Sequence, residues 1–152
     1  MSTVTNRVAV MHGVNLDTLG RRDPAIYGSE TLNQLEARVH DFARELDLEA
    51  SFFQTNHEGE FCEYLHRVRE TADAVLVNAG AWSHYSWAIR DALEVAAKPA
   101  VEVHISDVDK RGEAEPWRSI SVFDGLVLTK ISGKGVDGYR EALEVLKGEL
   151  GA

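Results

Sequence analysis

Glu102 and His104 stand two residues apart in the apolar run 100–105. In a strand that spacing puts both side chains on one face. A carboxylate beside an imidazole orients the ring and favours its protonated form, as a general acid requires. A structural hydrogen-bonded pair fits the same letters, because a buried charge is costly unless it is paired. A second candidate lies in the stretch 15–30, where Arg21 and Arg22 precede Tyr27. Tyrosine ionises near pH ~10, so forming a tyrosinate at neutral pH costs about 4 kcal/mol. One cation at ~4 Å with an effective dielectric of ~20 returns a similar amount. Arg22 beside Tyr27 therefore has the chemistry of an activated base, while an exposed loop tyrosine among solvated arginines is the plainer alternative. Asn78-Ala79-Gly80 lets backbone approach a ligand closely or makes a simple turn.

These residues must be positioned by regular elements, and the chain alternates short apolar runs with helical patterns. Residues 7–11, 48–53, 74–78, 100–105 and 125–129 read as strands. Between and after them, 31–46, 59–71, 84–97 and 136–149 carry apolar residues at helical spacing. Thr31 and Ser83 are the candidate caps of the first and third helices. Strands alternating with helices predict an α/β fold, a parallel sheet with helices on both faces. The size and count predict a flavodoxin-like three-layer sandwich of order 2-1-3-4-5 in one domain, 1–152. Ligands of such sheets bind beyond the carboxyl ends of the strands at the switch point. His12-Gly13-Val14-Asn15, Asn78 and His104 all fall there. The stretches 15–30 and 107–124 are long for connections and predict lids or binding loops.

The chain has 152 residues, with 16 Lys and Arg against 25 Asp and Glu, so its formal charge is −9. That balance excludes a basic nucleic-acid surface but leaves room for an anionic small molecule held by local arginines. No apolar run approaches the ~20 residues of a membrane span, and the opening segment predicts no secretion signal. The single cysteine, Cys62, cannot form an intramolecular disulfide, which fits a cytoplasmic location. It reads as a small buried hydrophobe. The six histidines show no zinc spacing, so no metal is expected. Gly133-x-Gly135-x-x-Gly138 matches a dinucleotide fingerprint, but it lies at the end of the chain instead of the first βα turn. A tight turn and helix packing are the better reading. Trp82 and Trp87 could line the core, the crevice or a subunit contact.

Taken together and in order, NLDTLGRRDPAIYG, QTNHEGEF, NAGAWSHYSWAIRDAL, EVHIS and GKGVDGYREAL resemble the type II 3-dehydroquinate dehydratase family. The resemblance covers nearly the whole chain. It implies a cofactor-free dehydration of 3-dehydroquinate to 3-dehydroshikimate, by anti elimination through an enolate, in the shikimate pathway. It also implies a homo-oligomer, a dodecamer built as a tetramer of trimers. On the matching positions, Tyr27 takes the C2 proton as a tyrosinate, and Arg22 and Arg111 hold it ionised. Asn15 stabilises the enolate through a water. His104 protonates the departing hydroxyl, with Glu102 setting its state. Asn78 and the Ile105–Ser106 backbone hold the substrate carboxylate. His84 contacts ring hydroxyls, and Asp91 reaches in from a neighbouring subunit.

The family pattern is broken in places. His12-Gly13-Val14-Asn15 stands where the pattern has NGPN. Asp17 and Asp107 replace asparagines, adding negative charge near an anionic substrate. The largest departure spans 107–133. A second arginine that grips the substrate diol falls on Glu115, with Arg118 the candidate replacement from a shifted backbone. Besides the family's own reaction, two alternatives stay open. One is the same elimination on a related cyclic ketone with altered diol recognition. The other is a non-catalytic flavodoxin-like binding protein.

Overall fold

The computed structural model describes residues 5–151. The first four residues of the opening segment, where no secretion signal is expected, and the last residue of the 1–152 domain lie outside the described residues. Five parallel strands form one sheet in the order β2-β1-β3-β4-β5. They are β1 (Arg7–His12), β2 (Glu49–Gln54), β3 (Ala74–Asn78), β4 (Ala100–His104) and β5 (Lys130–Ser132). Helices α2 (Leu32–Glu45) and α6 (Asp137–Gly151) cover one face; α3 (Glu58–Thr71) and α4 (Trp87–Ala96) cover the other. This is the expected flavodoxin-like sandwich. Two short helices, α1 (Pro24–Tyr27) and α5 (Val108–Arg111), lie inside the two long loops. No helix among the described residues is long and apolar enough to cross a membrane.

The central strands β1, β3 and β4 are buried on both faces, and their alternation sorts the core. Val8, Val10, Ala74, Leu76, Val101 and Val103 pack under α2 and α6. Ala9, Met11, Val75, Val77 and Ala100 pack under α3 and α4. By the same parity, His12 and Asn78 end their strands on the α2/α6 side, whereas Glu102 and His104 lie on the α3/α4 side. The strand ends therefore offer two distinct sets of polar groups to one crevice.

Thr31 caps α2 as expected, in a capping box with Gln34: its hydroxyl accepts from Gln34 N at 3.2 Å, and Gln34 Oε1 accepts from Thr31 N at 2.9 Å. Gly13 is required where β1 leaves the sheet. Its N–H donates to Asn78 O at 2.8 Å, and a Cβ there would fall 2.3 Å from Ala79 O. Only glycine allows the ends of β1 and β3 to come this close.

Several boundaries differ from the sequence reading. The fifth strand is Lys130–Ser132, not 125–129. Gly125, at φ 83°, belongs to a turn in which Leu126 and Val127 N–H both donate to Phe123 O. Leu126 and Val127 pack against the α3/α4 core, so their apolar character serves the helix layer. The third helix begins at Trp87, not at 84, and its cap is Ser86, whose Oγ accepts from Ile89 N at 3.2 Å. Residues Gly80–His84 form a separate 3-10 turn that buries Ser83 and His84. The last helix starts at Asp137. Trp82 is buried edge-on against Phe61, whereas Trp87 is exposed. Cys62 is half-buried rather than buried, and desolvation pushes its thiol up.

Candidate active site

A cleft opens beyond the carboxyl ends of β1, β3 and β4. Asn15, Arg22, Tyr27, Asn78, His84, His104, Ile105, Ser106 and Arg111 all line it, as does Arg118. The fold thus brings together nearly every residue singled out in the sequence. Glu102 lies just beneath, and Asp91 is exposed on α4, outside the cleft of its own chain.

The long first loop folds into α1, whose N-terminus is capped by Asp23 with Pro24 at the first position. This turn carries Tyr27 inward. Arg22 Nη2 donates to Tyr27 Oη at 2.8 Å, and Arg111 Nη1 donates to the same oxygen at 2.8 Å. The Arg22 guanidinium also lies 3.8 Å from the ring centroid. Arg111 reaches from α5, which is capped by Asp107 Oδ1 accepting from Lys110 N at 3.0 Å. Arg111 also donates to Ser106 Oγ at 2.9 Å. Two guanidiniums from separate loops thus converge on one phenolic oxygen.

On the α3/α4 side, His104 Nε2 donates to Glu102 Oε2 at 2.6 Å, and Ser121 Oγ donates to Glu102 Oε1 at 2.6 Å. The fully buried carboxylate is therefore satisfied at both oxygens, as a charge without solvent must be. With Nε2 engaged, Nδ1 is the nitrogen of His104 that can carry the second proton. His84 stacks on His104 with centroids 5.8 Å apart, and its Nδ1 donates to Ile120 O at 2.7 Å. Desolvation lowers the pKa of His84, and the neighbouring His104 lowers it further against the opposing pull of the Ile120 carbonyl. His84 is thus favoured as a neutral hydrogen-bonding group.

Asn15 adopts a left-handed conformation (φ 70°), and its N–H donates to Asn56 Oδ1 at 2.8 Å. Asp17 accepts from Asn56 Nδ2 at 3.2 Å, so its charge helps to hold the Asn15 turn. Both acidic departures from the family pattern, Asp17 and Asp107, thus have structural partners. The glycines of GKGVDG do what a turn requires: Gly133 and Gly135 N–H donate to Ser106 O (3.1 Å) and Ile105 O (3.2 Å), and Gly138 packs against Ile131 and Val103. These bonds fix the peptide planes at the end of β4. Glu115 is exposed next to the lining residue Arg118, and its Oε1 accepts from Arg118 Nε at 2.8 Å.

Sequence reasoning missed several supporting residues. Asn56 and Ser121 each tie down a candidate site residue. Glu36 and Tyr139 join His12 in a hydrogen-bonded row ending at Asn78. Tyr139 follows the glycine motif directly, but no spacing in the sequence joins it to His12, which is 127 residues away.

A family model described as Dehydroquinase class II matches residues 6–147. The chain is 48% identical over 138 residues to the 3-dehydroquinate dehydratase of Syntrophotalea carbinolica, covering 90% of this chain and 91% of that one. It is 44% identical over 143 residues to that of Bacillus pumilus, covering 94% and 95%. Among solved structures, a type II dehydroquinase from Propionibacterium acnes superposes with a TM-score of 0.87 at 38% identity, covering 97% of this chain and 99% of that one. A 3-dehydroquinate dehydratase-like protein from Bifidobacterium longum gives 0.70 at 27% identity, with the same coverage.

Proposed function

The chain belongs to the class II dehydroquinase family, and from that premise we propose that its cleft dehydrates 3-dehydroquinate to 3-dehydroshikimate in the shikimate pathway. The observation that carries the reading is the convergence of Arg22 and Arg111 on Tyr27 Oη in the same cleft as the Glu102–His104 pair. A purely binding protein has no need of that expensive charge arrangement. As a tyrosinate, Tyr27 takes the proton at C2, and the C–H electrons move onto the C3 oxygen as an enolate. Asn15 steadies that charge through a bridging water. The enolate then collapses to form the C1–C2 double bond while the C1–O bond breaks. His104 gives its proton to the departing hydroxyl, which leaves as water, and Glu102 balances the imidazolium until then. The proton on Tyr27 returns to His104 by way of solvent, which closes the cycle.

Asn78 and the Ile105–Ser106 backbone hold the substrate carboxylate. His84 and Arg118 read the ring hydroxyls, Arg118 from the turn after Glu115. The reading extends to a cytoplasmic homo-oligomer, a dodecamer of four trimers in which Asp91 borders a neighbour's cleft; light scattering at twelve chain masses is the expected result. The Glu115–Arg118 pair favours a second reading, the same elimination on a related cyclic ketone. Turnover of 3-dehydroquinate, followed by the ultraviolet absorbance of the conjugated enone, separates the two. Tyr27→Phe is expected to lower kcat by about 10²–10⁴-fold, the usual size of a lost general base, and Arg22→Ala to lower it as well. A folded wild-type protein without turnover sinks the first reading.

A further inference from the structure

His12 ends β1 and is completely buried. Its Nδ1 lies 3.1 Å from Glu36 Oε2 on α2. A carboxylate only accepts, so Nδ1 carries a hydrogen. Nε2 lies 2.9 Å from Tyr139 Oη on α6. Asn78 Nδ2 donates to that same oxygen at 3.0 Å, and Gly80 N–H donates to Asn78 Oδ1 at 3.3 Å. The Gly80 contact settles which end of the amide is which. The hydrogens then run in one direction: Asn78 donates to Tyr139, Tyr139 to His12 Nε2, and His12 Nδ1 to Glu36. The second Nδ2 hydrogen of Asn78 remains for the cleft that Asn78 lines.

We propose that His12 is a positioning residue that sets the amide orientation of Asn78 through Tyr139, and that protonating His12 reverses this orientation and weakens binding of the substrate carboxylate. The inference rests on the dehydratase reading above. An imidazolium donates at Nε2, so Tyr139 Oη faces two donors and its own hydrogen has no acceptor. Turning the Asn78 amide restores one, because Oδ1 then accepts from Tyr139. The same turn presents an oxygen lone pair to the cleft and sets Nδ2 against Gly80 N–H. The titratable groups facing His12 are Glu36 from α2 and Tyr139 from α6. Burial pushes the Tyr139 phenol up, so it remains a phenol throughout. From β2, the register partner Gln54 is neutral and donates to Gly13 O at 3.2 Å; Asn78 from β3 is also neutral.

The test is KM for 3-dehydroquinate between about pH 5 and 8, the range in which histidine changes charge. Wild type, Glu36→Gln and His12→Asn are compared. Wild-type KM is expected to rise about tenfold or more as pH falls, the size of one lost hydrogen bond to a charged group. Glu36 is 19% exposed, so its exchange to Gln is isosteric at the edge of the core. It removes the carboxylate that accepts the His12 Nδ1 hydrogen and is expected to change the KM profile. His12→Asn is expected to lose the rise. A merely structural His12 would leave the pH profile unmoved by Glu36→Gln. A flat wild-type KM, or a rise that neither variant moves, overturns the proposal. Absence of turnover at every pH overturns instead the dehydratase reading on which it rests.

Discussion

Arg118→Ala probes how the cleft reads hydroxyl groups. Arg118 lines the cleft, its Nε donates to Glu115 Oε1 at 2.8 Å, and its guanidinium lies 4.2 Å over the Trp117 ring. Trp117 in turn sits edge-on to His84 at 5.3 Å. The Glu115 bond uses one of the five N–H donors of a guanidinium, leaving the others for a ligand. Losing a charge-assisted bond to a buried hydroxyl costs about 1.5–3 kcal/mol. That converts to a drop in kcat/KM of roughly 10- to 150-fold. Arg118 also holds the Glu115 carboxyl below the usual carboxylate range, chiefly through their hydrogen bond. Without it, an unpaired carboxylate repels an anionic substrate. The double variant Glu115→Gln/Arg118→Ala is therefore expected to recover part of the loss, and the cycle isolates the repulsive share. Steady-state kinetics on 3-dehydroquinate, read through the enone absorbance, measures each corner. A kcat/KM for Arg118→Ala within about threefold of wild type refutes the assignment. The pair would then be an ordinary solvent-screened surface ion pair.

Asp73 accepts from Arg7 Nε at 3.1 Å and from the Arg7 backbone N–H at 2.9 Å, which joins the starts of β1 and β3. These contacts, led by the side-chain bond, hold its carboxyl below the ordinary range. A folded-state value depressed in this way stabilises the protein above the unfolded value of ~3.9 and loses that contribution as pH falls through the folded one. Asp73→Asn is expected to lower the melting temperature near neutral pH and to converge on wild type in acid; a constant offset at all pH values would contradict this. Gly13→Ala is expected to destabilise the fold by about 1–3 kcal/mol or more in urea titration, because its Cβ meets the Ala79 backbone, and an unchanged midpoint would contradict the close approach of β1 and β3.

What was legible in the sequence was what repeats or stays local. The two-residue spacing of Glu102 and His104 inside an apolar run is enough to place them on one face, and they meet at 2.6 Å. Thr31 just before an apolar run at helical spacing marks a helix start, and the structure builds a capping box there. Errors arose where one local signal served a different partner. Residues 125–129 have the letters of a strand, yet Leu126 and Val127 turn back onto the helix layer and β5 starts at Lys130. Ser83 has the chemistry of a cap, but the chain inserts a 3-10 turn and gives that role to Ser86.

The polar support of the cleft was illegible for a different reason. Glu36, His12, Tyr139 and Asn78 come from α2, β1, α6 and β3, and only the closed sandwich brings them into one row. Any one of them alone reads as a core histidine, a helix-face carboxylate or a packed tyrosine. The physical demand that links them is that each buried donor find an acceptor, and that demand can be posed only once the neighbours are known. The residues proposed to touch substrate can therefore be read from motifs. The residues proposed to decide which hydrogen they offer belong to the packing.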